Sequence, residues 1–436
     1  MTPDPVPLEP LMLDLPEVEG RPAMPAGFRA AAGSARIKDS GRPDLGLLSV
    51  TTGQPASVGA TFTTNLLRAA PVEQSKAYLA RSAPLGEGRW GYARAMLSTS
   101  GSANAATGAD GERDQELLAE ALGTALGVDP AATLAISTGL IGTRLPVERI
   151  RTALPALVKR LDTTDAALAA LGEQMMTTDS RPKAATVRLE LPAADGTPLA
   201  VTLSGVAKGV GMIHPRMATM LSVLLTDARV EPATLYSLLQ PAVERTWNQL
   251  TVDADTSTND TVFLLASSAS GSASVEMGTP QAERLGRAIH AVARALARQQ
   301  AADGEGATTL ITCQVSGARD DPQARAVARA VVASNLVKAA VHGRDPNWGR
   351  MCAAAGNAQL DGRPVELSAA RLHIALCGFD VFRGEPLAFD RASAARSMDA
   401  PEVLLRIDLG LGDGSGEAFG CDLSEQYVVE NSAYST

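Results

Sequence analysis

Residues 205–221, GVAKGVGMIHPRMATML, lie at the middle of this 436-residue chain. Two glycine-bearing turns lead to a small residue, Ala218, which is followed by a hydroxyl residue, Thr219. This pattern suggests self-cleavage of the Ala218–Thr219 bond, after which Thr219 is a new N-terminus and a nucleophile. An N-terminal threonine carries its own base, because its α-amino group has a pKa of roughly 7.7–8.0. Taken alone, the stretch also fits the start of a buried apolar segment, so the rest of the chain has to decide.

The composition is that of an acidic globular protein, with 45% apolar residues, 20% charged residues and a net charge of −9. The length predicts two or three structural units. The negative charge argues against nucleic acid as a partner, and the absence of a long apolar run argues against a membrane span. The four cysteines form no Cys-x-x-Cys pair, so we expect free thiols in a reducing cytoplasm and no metal.

The N-terminus is acidic and rich in proline, and residues 1–20 contain no Lys or Arg. This excludes a secretory signal and a basic transit peptide. We expect residues 1–25 to form a flexible or extended leader, with ordered structure beginning near residue 26.

Hydrophobic periodicity predicts a mixed α/β protein. The predicted helices are 114–126, 147–160, 165–175, 232–249, 282–299 and 322–333, the last with Asp321 as its cap. The predicted strands are 46–52, 60–65, 94–97, 133–137, 187–191, 199–203, 221–226, 261–266 and 310–315. Their irregular alternation indicates layered α and β structure rather than a Rossmann order.

Two short stretches are candidates for chemistry. Thr138-Gly139, at the end of a predicted strand, could present two donors to a developing oxyanion or could form a simple turn. Glu305, between two glycines, is either a solvated turn residue or a placed carboxylate. Residues 253–260 look like a calcium loop but lack the glycine and glutamate that such a loop needs at its sixth and twelfth positions.

Several stretches together resemble the ornithine acetyltransferase (glutamate N-acetyltransferase) family, in the same order from about residue 26 to the end. The matching pieces are FTTN (62–65), STGLIG (137–142), MTTDSRPK (176–183), KGVGMIHPRMATML (208–221), DTSTND (255–260), DGEGA (303–307), DPNWGR (345–350) and the tail 427–436. The resemblance implies an α/β fold of the α+β layered-sandwich kind, similar in logic to N-terminal-nucleophile hydrolases. It also implies cleavage into an α chain, 26–218, and a β chain, 219–436.

The resemblance implies ping-pong acetyl transfer in arginine biosynthesis. Thr219 takes the acetyl group from N-acetylornithine with its own amine as base, ornithine leaves, and glutamate then collects the acetyl group. Thr138 and Gly139 supply the oxyanion hole. Lys208 contacts the substrate, where an ammonium suits a carboxylate. Glu305 pairs with the ornithine-type ammonium or assists proton transfer.

The same resemblance implies further substrate contacts from Asn431, from the last residue, Thr436, and from one threonine of Thr177-Thr178, for which we favour Thr177. It implies no metal and no prosthetic cofactor, and assembly as a dimer of αβ units, a heterotetramer. Use of acetyl-CoA stays open.

The chain departs from the family pattern in the loop 99–108, TSGSANAATG, where two asparagines and a cysteine of the family are replaced. One alternative is therefore a specialised relative that moves or hydrolyses an acyl group on a different amine in secondary metabolism. Another is a non-catalytic binding protein with the same fold, against which the retention of Thr219, Lys208, Glu305 and Thr138-Gly139 argues.

Overall fold

The computed structural model of the chain describes residues 8–214 and 220–433. The strands in this part are β1 (Phe28–Gly33), β2 (Leu45–Val50), β3 (Ala56–Phe62), β4 (Trp90–Ala93), β5 (Ala95–Ser102), β6 (Thr133–Leu140), β7 (Lys183–Pro192), β8 (Pro198–Lys208), β9 (Leu221–Thr226), β10 (Thr261–Ala266), β11 (Leu310–Ala318), β12 (Gln359–Leu360), β13 (Arg363–Pro364), β14 (His373–Leu376), β15 (Phe379–Arg383), β16 (Glu402–Asp408) and β17 (Gly414–Cys421).

The helices alternate irregularly with these strands. They are α1 (Ala70–Ser82), α2 (Gly108–Leu126), α3 (Val147–Val158), α4 (Asp165–Met175), α5 (Pro232–Arg245), α6 (Pro280–Ala302), α7 (Asp321–Ala333), α8 (Asn335–His342), α9 (Trp348–Gly356), α10 (Arg391–Ser397) and α11 (Glu425–Ala433). The predicted class, layered α and β structure, is confirmed.

Two sheets pack face to face and form the centre of the molecule. One has the order β1-β2-β5-β6 and the other the order β4-β3-β10-β9-β8-β7. Alternate residues of β9 show why both faces of the second sheet are covered. Val223 and Leu225 join the core between the sheets, while Leu224 joins the core under α5 and α6. Every residue of β9 is buried, and its residues Val223–Leu225 form a short apolar run rather than an alternating pattern.

A third sheet, of order β15-β14-β16-β11-β17, has its own core with α7, α9 and α10. The long helix α6 joins it to the central sheets: Arg294 and Arg298 of this helix bind Glu417 and Glu402, on β17 and β16. The third sheet therefore sits beside α6.

The ends of three adjacent strands meet at one edge of the second sheet. Lys208, the last residue of β8, pairs with Leu221, the first residue of β9, which in turn pairs with Thr261 at the start of β10. The stretch that contains the predicted cleavage site thus connects two neighbouring antiparallel strands. This edge is where the candidate site lies.

The leader, 1–25, is predicted to be flexible or extended, and its described part, 8–25, contains no helix and no named strand. Glu19 forms an isolated bridge with Thr186 of β7, and the backbone N–H of Ala23 donates to the Ser204 hydroxyl at 3.0 Å. Leu15 and Val18 pack against the core under α6.

Several predicted elements are confirmed to the residue, including β9, β10 and α4. Others need correction. Helix α5 ends at Arg245, and a separate 3-10 turn follows at Trp247–Gln249. Helix α7 is capped by Asp320, whose carboxylate accepts from Gln323 N–H at 2.9 Å, and not by Asp321. Helix α1 was not predicted, because its sequence, APVEQSKAYLARS, shows only a weak apolar face.

Candidate active site

A cavity of about 200 Å³ lies where β6 and β8 end, and residues from both halves of the sequence line it. The lining residues are Ala103, Thr138, Gly139, Ile141, Thr177, Thr178, Lys208, Val210, Gly211, Met212, Asp253, Asp255, Ser257, Thr258, Asn259, Glu305, Tyr427 and Asn431. The predicted site residues Thr138, Gly139, Thr177, Lys208, Glu305 and Asn431 are among them.

Lys208 supplies a buried positive charge at the inner end of the cavity. The residue is 3% exposed, and its Nζ donates to the Thr138 hydroxyl at 3.2 Å. Burial lowers the pKa of Lys208, and the nearby Asp179 carboxylate opposes that decrease. Gln300 of α6 fixes the backbone here, because its side-chain amide donates to the Lys208 carbonyl at 2.7 Å.

Gly139 has a conformation and a packing that a larger residue could not adopt. Its φ is +126°, and a Cβ at this position would overlap the backbone of Gly101. The strand end is held from the other side by Asn259, whose amide donates to Ser137 O at 2.9 Å and to Ala103 O at 2.7 Å. The sequence alone left Thr138-Gly139 open between a turn and an oxyanion hole, and the structure puts it on the cavity wall beside Lys208.

Asp179 connects the loop after α4 to the residue that follows Lys208. Its carboxylate accepts from Gly209 N–H at 2.8 Å, from Thr177 N–H at 3.1 Å and from Lys183 Nζ at 2.7 Å. Burial alone would raise the pKa of Asp179, but the ammonium groups of Lys208 and Lys183 and these hydrogen bonds lower it to about 2. Asp179 is therefore ionised at neutral pH.

Glu305 supplies a carboxylate to the wall of the same cavity. Its carboxylate accepts from the Thr178 hydroxyl at 2.9 Å and from the Asn431 side-chain amide at 2.9 Å. Its backbone N–H donates to Val210 O at 2.9 Å, which ties the loop after α6 to the stretch after β8. Asn431 lies on α11, so the C-terminal helix completes this wall.

Two carboxylates hold the chain on either side of residues 215–219. Asp253 accepts from Met212 N–H at 2.6 Å and from Ile213 N–H at 2.8 Å. Met212 needs this support because its φ is +53°, a left-handed conformation that costs a non-glycine residue energy. On the other side, Asp260 accepts from Met220 N–H at 2.9 Å. Asp260 is fully buried, which raises its pKa well above the usual range.

Three predicted residues, Ala218, Thr219 and Thr436, lie outside the described residues. Of the two threonines considered for a substrate contact, Thr177 was favoured, and the structure shows that Thr177 and Thr178 both line the cavity. The Thr178 hydroxyl contacts Glu305.

Sequence reasoning assigned no role to several residues that the structure places here. Asp179 and Asp253 organise the loops, and Asp255 and Tyr427 line the cavity. Burial and the carboxylates around Tyr427, with Asp253 the nearest contributor, raise its pKa to about 12. In the sequence, the dense polar residues of TTDSRPK (177–183) and DADTSTND (253–260) were the feature that could have pointed to Asp179, Asp253 and Asp255.

The loop that departs from the family pattern turns its polar groups away from the cavity. The Thr99 hydroxyl donates to the Ser137 hydroxyl at 2.8 Å, and the Ser102 hydroxyl donates to Thr143 O at 2.8 Å. From residues 99–108, all of them described, Ala103 alone lines the cavity. In this chain, therefore, no polar side chain of the loop lines the cavity.

Residues 8–214 and 220–433 contain neither a candidate metal site nor a candidate membrane-spanning helix. No group of three or more His, Cys, Asp and Glu side chains is arranged to hold a metal ion. No helix in this part of the chain combines the length and apolar character needed to cross a membrane.

The arrangement suits a small zwitterion with a second amine. The Lys208 ammonium lies 3.2 Å from the Thr138 hydroxyl, which is followed by the backbone N–H of Gly139, and the Glu305 carboxylate lines the same cavity. The ammonium can bind a carboxylate of the ligand, and Glu305 can bind its amine. The hydroxyl and the N–H can stabilise an oxyanion between them.

Curated proteins similar to this chain are named arginine biosynthesis bifunctional protein ArgJ. The Synechococcus protein is 43% identical over 430 residues, which cover 96% of this chain and 98% of the relative. The Thermus thermophilus protein is 42% identical over 413 residues, which cover 95% of this chain and 99% of the relative.

Two solved structures are also similar. ArgJ of Bacillus halodurans is 37% identical and covers 50% of this chain and 100% of its own, with a TM-score of 0.48. The ornithine acetyltransferase of Mycobacterium tuberculosis, solved in complex with ornithine, is 32% identical and covers 46% of this chain and 97% of its own, with a TM-score of 0.40. The model of the ArgJ family matches residues 29–436. With relatives above 40% identity over almost its whole length, the chain belongs to the ArgJ family.

Proposed function

We propose that this protein cleaves itself between Ala218 and Thr219 and then transfers an acetyl group from N-acetylornithine to glutamate through an acetyl-Thr219 intermediate. The α chain is then 26–218, preceded by the leader, and the β chain is 219–436. The protein acts in arginine biosynthesis, as the names of its relatives suggest.

One observation carries the proposal: a single cavity is lined by the buried Lys208 ammonium, by Thr138-Gly139 and by the Glu305 carboxylate. N-acetylornithine has a carboxylate and an acetamide at one end and an ammonium at the end of its side chain. In this proposal Lys208 binds the carboxylate and Glu305 binds the ammonium, which is supported by the presence of both residues in one cavity. Asp253 and Asp255 add negative charge to the wall, which favours a cationic side chain further.

In the first half-reaction, the Thr219 hydroxyl attacks the acetyl carbon, and its proton passes to the Thr219 α-amine. The carbonyl oxygen becomes an oxyanion, which accepts hydrogen bonds from the Thr138 hydroxyl and the Gly139 N–H. Removal of one such donor typically costs about 10²- to 10³-fold in rate. The C–N bond then breaks, the α-amine returns the proton to the leaving nitrogen, and ornithine departs.

The second half-reaction reverses these steps with glutamate. Its amine attacks the acetyl ester of Thr219, the same donors hold the oxyanion, and the C–O bond to Thr219 breaks. The proton from the attacking amine passes through the Thr219 amine back to the Thr219 hydroxyl. No further general base is needed, because the nucleophilic hydroxyl and the basic amine belong to one residue.

Self-cleavage is supported by the way the chain is held around its predicted site. Asp253 fixes residues 212 and 213, and Asp260 fixes residue 220, the next residue after Thr219. These anchors come from the loop and strand after α5, so they remain in the β chain after cleavage. Both cut ends would therefore stay beside the cavity.

The experiment combines intact mass with an isotope label. Wild-type protein should give two fragments, each about half of the 45.1 kDa chain, the second beginning at Thr219. With acetyl-deuterated N-acetylornithine and glutamate, the label should appear in N-acetylglutamate. Thr219→Ala should stay uncut and inactive, whereas Thr219→Ser should be cut and active. An uncut wild-type chain, or cleaved protein without label transfer, would contradict the proposal.

The alternative, transfer to another amine or hydrolysis, rests on the altered loop 99–108. Because the polar side chains of that loop bind within the protein and not to the cavity, the structure gives this alternative little support. The same assay separates the two: labelled acetate formed without glutamate would indicate a hydrolase. Label on an amine other than glutamate would indicate a specialised transferase.

We also propose that two αβ units assemble as a dimer in the cytoplasm. Leu66 and Leu67, next to each other, are 90% and 71% exposed, which favours their burial by a partner. Light scattering should give a mass of about twice that of one chain, and Leu66→Ser/Leu67→Ser should reduce it to one unit.

A further inference from the structure

A buried series of alternating charges runs behind the cavity, from Lys208 through Asp179 and Lys183 to Asp303. Lys208 is 3% exposed, and the side chains of Asp179, Lys183 and Asp303 are 0%, 0% and 4% exposed. Three of these residues precede the proposed cleavage site and Asp303 follows it. Burying four charges is costly, so the arrangement calls for an explanation.

Lys183 lies at the centre of this series and uses all its donors within it. Its Nζ donates to Asp179 at 2.7 Å, to Asp303 at 2.6 Å and to Arg181 O at 3.2 Å. An ammonium has three N–H donors, so none remains for a ligand. Lys183 is also not among the residues that line the cavity. Any effect on the reaction must therefore act through Asp179 and Asp303.

Through Asp303, Lys183 holds the loop that carries Glu305. Asp303 also accepts from the backbone N–H and the hydroxyl of Ser180, so the two loops are joined at several points. The result of this joining is the 2.9 Å contact between Thr178, on one loop, and Glu305, on the other.

Through Asp179, Lys183 governs the charge next to Lys208. The Lys208 ammonium makes its 3.2 Å hydrogen bond to Thr138 and none to Asp179. The Asp179 carboxylate instead accepts hydrogen bonds from Lys183 Nζ, Gly209 N–H and Thr177 N–H. Without Lys183, Lys208 would be the nearest cation left to Asp179, and the carboxylate would draw it away from Thr138.

We propose that Lys183 is a positioning residue for acyl transfer, which keeps Lys208 on the oxyanion side and Glu305 on the amine side of the cavity. This inference rests on the proposed function. It assigns the buried lysine of the TTDSRPK motif a role in the geometry of the reaction beyond joining the two chains.

The proposal has a consequence for pH dependence. Lys183 is one of the positive charges that favour the neutral form of Lys208. The charged groups that face Lys208 are Asp179, Lys183, Glu305, Asp260 and Lys38. Removing Lys183 should raise the pKa of Lys208, so the alkaline limb of the rate profile should move to higher pH.

The test is the charge-balanced variant Lys183→Met/Asp303→Asn. Lys183→Met alone would remove the ammonium that Asp179 and Asp303 share, and would leave Asp303 with only the half-exposed Arg181, at 3.7 Å, as a cation among the described residues. We expect complete self-cleavage and a melting temperature within a few degrees of wild type. We expect kcat/KM for N-acetylornithine to fall at least tenfold and the alkaline limb to move up. The matched control is Glu148→Gln/Arg151→Met, which removes an exposed ion pair on α3 and should change neither quantity.

If Lys183 had only a structural role, the double variant would have a lower melting temperature, but its folded form would keep the wild-type kcat/KM and pH profile. That result would overturn the proposal. If the double variant does not fold, Lys183→Arg decides, since it keeps the charge but not the compact three-donor geometry. A folded Lys183→Arg protein with raised KM supports the proposal, and wild-type kinetics overturn it. Failure of the proposed function itself is seen separately, as an inactive wild-type enzyme.

Discussion

Gly211 and the carboxylate of Glu305 are in direct contact, and no side chain fits between them: a Cβ at Gly211 would overlap both carboxylate oxygens. Gly211 precedes the proposed cleavage site and Glu305 follows it. The acid that we propose to bind the substrate's amine is thus positioned by a glycine of the stretch GVAKGVGMIHPRMATML.

Gly211→Ala should therefore displace Glu305 while leaving the fold intact. We expect KM for N-acetylornithine to rise about tenfold, which corresponds to roughly 1.4 kcal/mol. Steady-state kinetics and thermal unfolding measure the two effects. Gly356→Ala on α9 is the control, because a Cβ there meets nothing within 4 Å. An unchanged KM for Gly211→Ala would mean that Glu305 does not bind substrate.

Asn431 on the C-terminal helix should matter through the hydrogen bond it donates to Glu305 at 2.9 Å. Asn431→Asp places a second carboxylate against the first, and like-charge repulsion should raise KM more than Asn431→Ala does. Because the contact is exposed to solvent, the alanine effect should be only about two- to fivefold. Ser432→Ala, on the same helix, should be neutral. Equal effects of aspartate and alanine at 431 would contradict this electrostatic account.

Asp179 should make the stability of the protein depend on acid pH. Its pKa is about 2 in the folded protein and about 3.9 in an unfolded chain, so its contribution is present above pH 3.9 and is lost as the pH falls towards 2. This pKa shift corresponds to a contribution of roughly 2 to 3 kcal/mol to the free energy of unfolding at neutral pH.

The measurement is urea unfolding of Thr219→Ala, which keeps one chain, with and without Asp179→Asn. The Asn variant should be less stable at pH 7 by about 3 kcal/mol, since Lys183 and Lys208 lose a buried counter-charge. The difference between the two proteins should shrink as the pH falls towards 2. If the difference in the free energy of unfolding between the two proteins did not change with pH, the ionised Asp179 carboxylate would not be the source of the stability.

The cysteines should be unreactive in the folded protein. Burial raises the pKa of the Cys313 thiol far above its usual range and that of Cys421 to about 11, and burial also raises the pKa values of Cys352 and Cys377. A thiol reagent at pH 8 should label Cys313 and Cys421 only after unfolding, when four thiols titrate. Rapid native labelling of Cys313 would contradict its buried position.

The sequence predicted the central strands well because each contains consecutive apolar residues, Val223–Leu225 in one and Val262–Ala266 in the other. Leu221–Thr226 and Thr261–Ala266 form strands with the expected bounds. It missed helix α1, whose apolar face is weak, since that helix forms by packing on β6 and β4 rather than by its own periodicity. The cap of α7 was placed one residue late, because Asp320 and Asp321 are equally good caps by residue type.

For the site, the sequence supplied residue types and order, and the resemblance supplied roles for Thr138, Gly139, Lys208, Glu305 and Asn431. The structure brings these five to one cavity. It also shows that Ser102 of the altered loop does not line the cavity, since the hydroxyl of that residue donates to Thr143 O.

By itself the sequence determined the class of the fold, the order of most elements and the family to which the chain is similar. These depend on local periodicity and on motifs that are contiguous in the chain. Only the tertiary structure decided how Asp179, Lys183 and Asp303 combine, because two of them come from one half of the chain and the third lies 120 residues further on. A carboxylate's partner depends on which loops the packed sheets bring together, and that information is not local in the sequence.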